Sequence, residues 1–213
     1  GGINFSGGTT NLNGGSTYAV SATSIGGGTT NFNNGASSGN LNLSGGTLDG
    51  TGTLTLTGAG STWTGGTLSG AGSLTLANGA ILDISGTASK FIASRSLDIN
   101  SGGTLIWSDG TIFNNTGNST VNNAGLIDLR ANNSWNFNGG ITTLNNLAGG
   151  SITRSVGTGT ANLSGVALNN AGTVSVNSGA LSIGQGGTDT GSYSVASGTT
   201  LNFAGGTRNL NTG

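Results

Sequence analysis

Residues 45–56 read GGTLDGTGTLTL and residues 65–76 read GGTLSGAGSLTL, with nine of twelve positions identical at an offset of 20. The stretch 7–15 (GGTTNLNGG) returns at 27–35 (GGTTNFNNG) with the same offset and seven identities in nine. A period near 20 falls in the range of solenoid repeats; it is too short for a propeller blade and too poor in helix formers for a helical repeat.

Working outward from these repeats, three-residue units recur with apolar ends and a small polar centre. Ile3-Asn4-Phe5, Leu41-Asn42-Leu43, Leu54-Thr55-Leu56, Leu74-Thr75-Leu76, Leu82-Asp83-Ile84 and Leu97-Asp98-Ile99 follow the pattern in the first half. Trp135-Asn136-Phe137, Val174-Ser175-Val176, Leu181-Ser182-Ile183, Tyr193-Ser194-Val195 and Leu201-Asn202-Phe203 continue it. Alternation with period two predicts half-buried strands, the outer residues pointing inward and the middle one to solvent. Gly65-Gly66, Asn78-Gly79 and Asn138-Gly139 punctuate the strands as corners that need positive φ. No stretch combines helical spacing with caps.

One such coil cannot fold alone. Ordering its backbone costs roughly 1–2 kcal/mol per residue, while each inward aliphatic side chain contributes about 1.5–3 kcal/mol. Coils must therefore stack strand on strand and share one apolar column. The expected fold is all-β, a right-handed parallel β-helix of about 20 residues per coil and roughly ten coils, spanning 1–213 as a single module. Coil length must vary in the second half, because Asn-Asn-Ala-Gly recurs in 121–129 (VNNAGLIDL) and 168–176 (LNNAGTVSV) at an offset of 47. Residues 86–96, which contain Lys90 and Arg95, are expected to protrude as a loop. Residues 201–213 match 3–15 at nine of thirteen positions, which suggests a repeat unit of a longer tandem array. The opening Gly1-Gly2-Ile3 lacks an initiator Met, so a processed product or a piece of a longer chain is expected, with any export signal outside it.

Composition narrows function. Charged residues make up 5% of the chain and the net charge is −1. No field exists to attract nucleic acid or anionic lipid, and no apolar span predicts membrane insertion by this segment. Apolar residues, at 32%, recur in order, which argues against disorder. Cys and His are absent, so disulfides and the usual zinc sites are excluded.

Chemistry has few candidates. Glycoside hydrolysis needs two carboxyl groups suitably spaced, and Asp49, Asp83, Asp98, Asp109, Asp128 and Asp189 are the only acids. Asp83, Asp98 and Asp128 fall at or beside outward slots filled elsewhere by Asn, Thr or Ser, and read as solvated ladder positions. A lyase-like cleft built from Asp83, Lys90, Arg95 and Asp98 is the remaining catalytic arrangement. Gly186-Gly187-Thr188-Asp189 departs from the calcium-binding nonapeptide and is not repeated, so no metal or cofactor is expected. Among the tryptophans, Trp107 and Trp135 end apolar triplets and are expected in the core. Trp63, between Thr62 and Thr64, is the candidate for stacking on a sugar. A Thr file for ice contact begins at Thr53, Thr55 and Thr57 but gives way to Ser73, Thr75 and Ala77 in the next coil.

Residues 63–76 (WTGGTLSGAGSLTL) and 168–179 (LNNAGTVSVNSG), with Leu181-Ser182-Ile183 and Ser197-Gly198-Thr199-Thr200-Leu201, resemble the repeats of filamentous-haemagglutinin-like adhesins and autotransporter passenger domains. The resemblance covers most of the chain and is strongest over 41–84 and 168–210. It implies a β-helix exported to the bacterial surface as an adhesin, biofilm component or stalk, and it carries no functional residue with it. The resulting expectation is a non-enzymatic structural and adhesive module, extracellular or on the cell surface. Its expected partners are copies of itself and surface glycans. A fibre or sheath subunit stacking end to end is the first alternative, and a secreted polysaccharide-active enzyme the second.

Overall fold

The computed structural model describes residues 1–15 and 17–211. Among the described residues the chain forms 28 short strands and no helix. Strands pair in parallel in all three sheets, giving a β-solenoid of about 10 turns of roughly 21 residues. Each turn, or rung, contributes a strand to each of three faces. On the first face Thr53–Leu56, Ser73–Leu76, Ser96–Ile99 and Ser119–Asn123 lie in register. The second face stacks Ser61–Trp63, Ile81–Ile84, Thr104–Trp107 and Leu126–Leu129. Tyr18–Ile25 and Ala36–Leu43 bend from the first face onto the second, merging both into one 18-stranded sheet. The third face is a 7-stranded sheet continued by a 3-stranded one through a single bridge, Ser134 to Asn162.

The expected alternation holds along most strands; Phe137, expected to point inward at the end of its triplet, is instead 58% exposed. Leu54, Leu56, Leu74, Leu76, Leu97 and Ile99 are buried, whereas Thr55, Thr75 and Asp98 between them face outward. The inward side chains form one continuous core along the rod. Corners are as tight as the stacking demands. Gly28 lies over Gly8, both with φ near +67°, and a Cβ at Gly28 would fall 2.2 Å from the Gly8 carbonyl oxygen. Only glycine fits there.

Coil length changes along the molecule. Thr9 pairs with Thr29 and Thr53 with Ser73, the same advance that the repeats show, while Ala36 reaches Leu54 by a slightly shorter turn. Further along the turns lengthen, with Gly66 pairing with Lys90 and Ser134 with Asn162. The Asn-Asn corners at an offset of 47 are thus two rungs apart, with Asn145-Asn146 on the rung between them.

Residues 86–96 do not form the expected protruding loop. Gly86 to Ser89 are exposed, but Lys90–Ile92 is a strand of the third face and Arg95 is buried. Lys90 and Arg95 are 0% and 1% exposed. The physical reason is a shortage of hydrogen-bond partners at the enlarged corners. The Lys90 ammonium donates to the carbonyls of Gly86, Ala88 and Asp109. The Arg95 guanidinium donates to those of Ser69 and Ser73 at 2.6 and 3.0 Å. Arg154, on the second face, caps the carbonyls of Leu129 and Ala131 at 3.0 and 2.9 Å. A buried carbonyl without a donor is costly, and these side chains carry three to five donors. Burial lowers the pKa of all three groups, that of Arg95 to about 10, with Asp49 opposing the shift.

Candidate binding face

Asp83, Lys90, Arg95 and Asp98 do not line one cleft. Asp83 stands on the second face, in a column with Thr62 and Ile106. Asp98 stands on the first face of the following rung, between Thr75 and Asn122. Lys90 and Arg95, the other members of the supposed cleft, point inward. Each Asp is engaged in hydrogen bonding. Asp83 accepts from the Ser108 hydroxyl and Asp98 from Ser96 and the Asn122 amide. Asp109 accepts from Asn133 and from the Gly110 backbone N–H, and Asp49 from that of Gly50. Asp128 is outward by alternation yet 6% exposed, because Arg130 and Ser155 close over it. Asp189 is buried in an ion pair with Arg208 at 2.6 Å and accepts from the Tyr193 hydroxyl. Among the described residues no group of three acids converges on one point.

Trp63 is not available to a sugar. It is 1% exposed and stacks between Leu43 and Ile84 in the second face's inward column. Its triplet is Ser61-Thr62-Trp63, and Thr62 takes the outward slot. Trp107 and Trp135 are in the core as expected, meeting edge to face with centroids 6.3 Å apart.

What faces solvent is a set of polar ladders. On the first face Asn145 donates to Asn122 at 2.9 Å, Asn169 donates to Asn145 at 3.0 Å, and the Thr188 backbone N–H donates to Asn169. Beside them Asn145, Leu147, Asn169, Ala171, Thr188 and Thr190 border a groove of about 250 Å³. The Thr53 file gives way to Ser73 on the next rung, as expected, and the Thr55–Thr75 column ends at Asp98. A longer one runs on the third face, Thr9–Thr29–Thr47–Thr67.

That third-face column then changes character. Thr67 is followed in register by Phe91, Phe113 and Asn136. The two Phe rings occupy outward slots on consecutive rungs, partly exposed, with centroids 5.7 Å apart and planes inclined by 22°. The sequence carries a signal for them, because Lys90-Phe91-Ile92 and Ile112-Phe113-Asn114 place an aromatic where other triplets have Asn, Thr or Ser. Farther along the same face Ser134, Thr160, Asn162, Ala180, Ser182, Thr200 and Asn202 line an open groove of about 570 Å³. Arg130, 45% exposed, is the one basic side chain on the surface among the described residues, the other four being buried or nearly so.

No known protein family, curated protein or solved structure matches this chain.

Proposed function

We propose that the chain is a rod-like structural and adhesive module of a bacterial cell-surface or extracellular-matrix protein, acting by self-association and surface contact and not by catalysis. The observation that carries this reading is the outer surface of the stack. Its ladders are hydroxyls and amides joined rung to rung, and its titratable side chains are hydrogen-bonded, dispersed or buried. Such ladders stiffen a rod without charge, and each Asn keeps a spare donor and a spare lone pair for a neighbour. The likeness of the repeats to filamentous-haemagglutinin-like and autotransporter passenger sequences supports the same reading and an extracellular location. Negative-stain electron microscopy of the 213-residue chain tests it: discrete rods roughly 50 Å long are expected from ten rungs near 4.8 Å, and globular particles would refute it.

A second reading, polymerisation end to end, is favoured by the terminal rungs. Ile3 on the first and Val195, Phe203 and Leu210 on the last are exposed apolar residues. A further rung, from this polypeptide or another copy, would cover them and pair the open strand edges. Filaments that lengthen with protein concentration distinguish this from the discrete rod.

A further inference from the structure

We propose that the third face binds a neutral polysaccharide chain lying along the rod, with sugar rings against Phe91 and Phe113 and hydroxyls on the Ser134–Asn162–Ser182–Asn202 column. The proposal rests on the adhesive reading and names the surface chemistry it would recognise.

Four observations converge. First, Phe91 and Phe113 interrupt a column of hydroxyl and amide residues, Thr47, Thr67 and then Asn136, with two large apolar groups at the surface. Second, their centroid separation of 5.7 Å is wider than face-to-face contact, about 3.5–4 Å between carbons, and both rings remain partly exposed. Third, the rings adjoin a polar track. Thr111 and Ser134 sit two positions before Phe113 and Asn136, in the neighbouring outward slots. Ser134 then leads in register through Asn162 and Ser182 to Asn202, inside the groove of about 570 Å³. Fourth, neither the groove lining nor the ring-bearing column contains a charged side chain.

Pyranose rings combine what this strip offers contacts for. They have apolar C–H faces that settle on aromatic carbon, and hydroxyls that both donate and accept, as Ser, Thr and Asn do. The absence of charge matches a neutral chain and gives no attraction to a polyanion. Rungs near 4.8 Å apart repeat the same contacts at roughly the advance of one sugar in an extended polymer.

Affinity electrophoresis of the full chain through gels containing soluble β-glucan, mannan or galactan, with polygalacturonate as the anionic control, tests the proposal. At least one neutral polymer should retard the protein, and polygalacturonate should not. Phe91→Ser with Phe113→Ser should weaken that retardation by about tenfold or more, equivalent to one decade of Kd. Ser182→Glu, which adds charge to the groove and leaves the rings intact, should weaken it too. It provides the arm that survives if the double variant unfolds. Three results would overturn the idea: no neutral polymer retards the protein, retardation is unchanged in the variants, or the double variant loses only concentration-dependent self-association, which makes the face a contact between copies. Rods without retardation would leave the adhesive module standing and remove this ligand, whereas globular particles would remove the module itself.

Discussion

From Gly2 to Leu76 the turns are short, Gly2 pairing with Ala22, Thr9 with Thr29, Tyr18 with Ala36 and Thr53 with Ser73. Their inward slots hold mainly Leu, Ile, Phe and Trp, and Thr23, Thr30, Ser38 and Ser61 are the buried polar residues there. From Lys90 to Asn170 the turns are longer, Lys90 pairing with Ile112, Leu126 with Ser151 and Ser134 with Asn162. The interior of this region admits Lys90, Arg95, Asn114, Asn123, Asn146, Arg154 and Asn170. The added residues enlarge the corners, and several carbonyls there accept from buried side chains. Cationic side chains satisfy those carbonyls at Lys90, Arg95 and Arg154. Where one polar residue per rung points inward, the carboxamide is suited to stacking, because it can donate to one neighbour and accept from the other. Asn123 donates to Asn146 at 2.8 Å, and Asn146 to Asn170 at 2.7 Å. Between Lys90 and Asn170 longer turns and a more polar interior go together, whereas the buried Asp189–Arg208 pair lies in shorter turns near the far end.

Removing a cation from the long-coil region should have the largest effect. Arg154→Ala strands the carbonyls of Leu129 and Ala131 and should cost about 3–5 kcal/mol in denaturant unfolding. Thr153→Ala, on the adjacent outward slot, should cost under about 0.5 kcal/mol. Equal losses for the two would break the link between coil length and buried charge.

Exchanging the two interiors gives the next effects. Leu76→Asn places an amide between Leu56 and Ile99, where nothing can bond it, and should cost roughly 3 kcal/mol. Asn146→Leu interrupts the amide ladder and should cost about 2 kcal/mol, since Asn123 and Asn170 each lose a partner. A stabilised Asn146→Leu protein would show that the ladder is dispensable.

A gain is expected at Asn114, which is 0% exposed and whose carboxamide lacks a hydrogen-bond partner. It follows Ile92 in the third face's inward column. Asn114→Leu should extend the aliphatic interior and raise stability by about 1–2 kcal/mol, read as a higher urea midpoint with an unchanged slope.

The smallest effect concerns Tyr193. Burial first, then its hydrogen bond to Asp189, raises its pKa from 10.0. The unfolded chain releases this proton first, so the contribution to stability is complete below pH 10 and declines as pH rises beyond it. Tyr193→Phe should cost about 1 kcal/mol near neutrality, and the difference in melting temperature from the parent should shrink above pH 10. A difference independent of pH would contradict the assignment.

The repeated GGTL and LTL units made the strand positions, the outward slots of Asp83 and Asp98 and the approximate period legible in sequence, because period two and paired glycines are local signals. The interior cations were not legible. A charged residue reads as surface until the carbonyls around it are known, and those of Lys90 come from Gly86, Ala88 and Asp109. Trp63 misled for a related reason. Its inward register follows from pairing with Leu43 and Ile84, each a full turn away along the chain, and its flanking threonines say nothing of that. Phe91 and Phe113 were not legible as a pair, because Phe91 fell in the stretch expected to protrude and only the stacking register brings the two together.

The stack itself is most directly tested by distances between spin labels on the second face, where Ser24, Asn42, Thr62, Asp83, Ile106, Asp128, Thr153 and Ser175 follow one another rung by rung. The chain has no Cys, so cysteine pairs introduced for labelling react alone. Labels at Ser24, Asn42 or Thr62, each paired with one at Ser175, span seven, six and five rungs. Double electron–electron resonance should give roughly 34, 29 and 24 Å, falling by one rung spacing each time. Distances that do not shorten in even steps, or that order differently, would contradict rung-on-rung stacking.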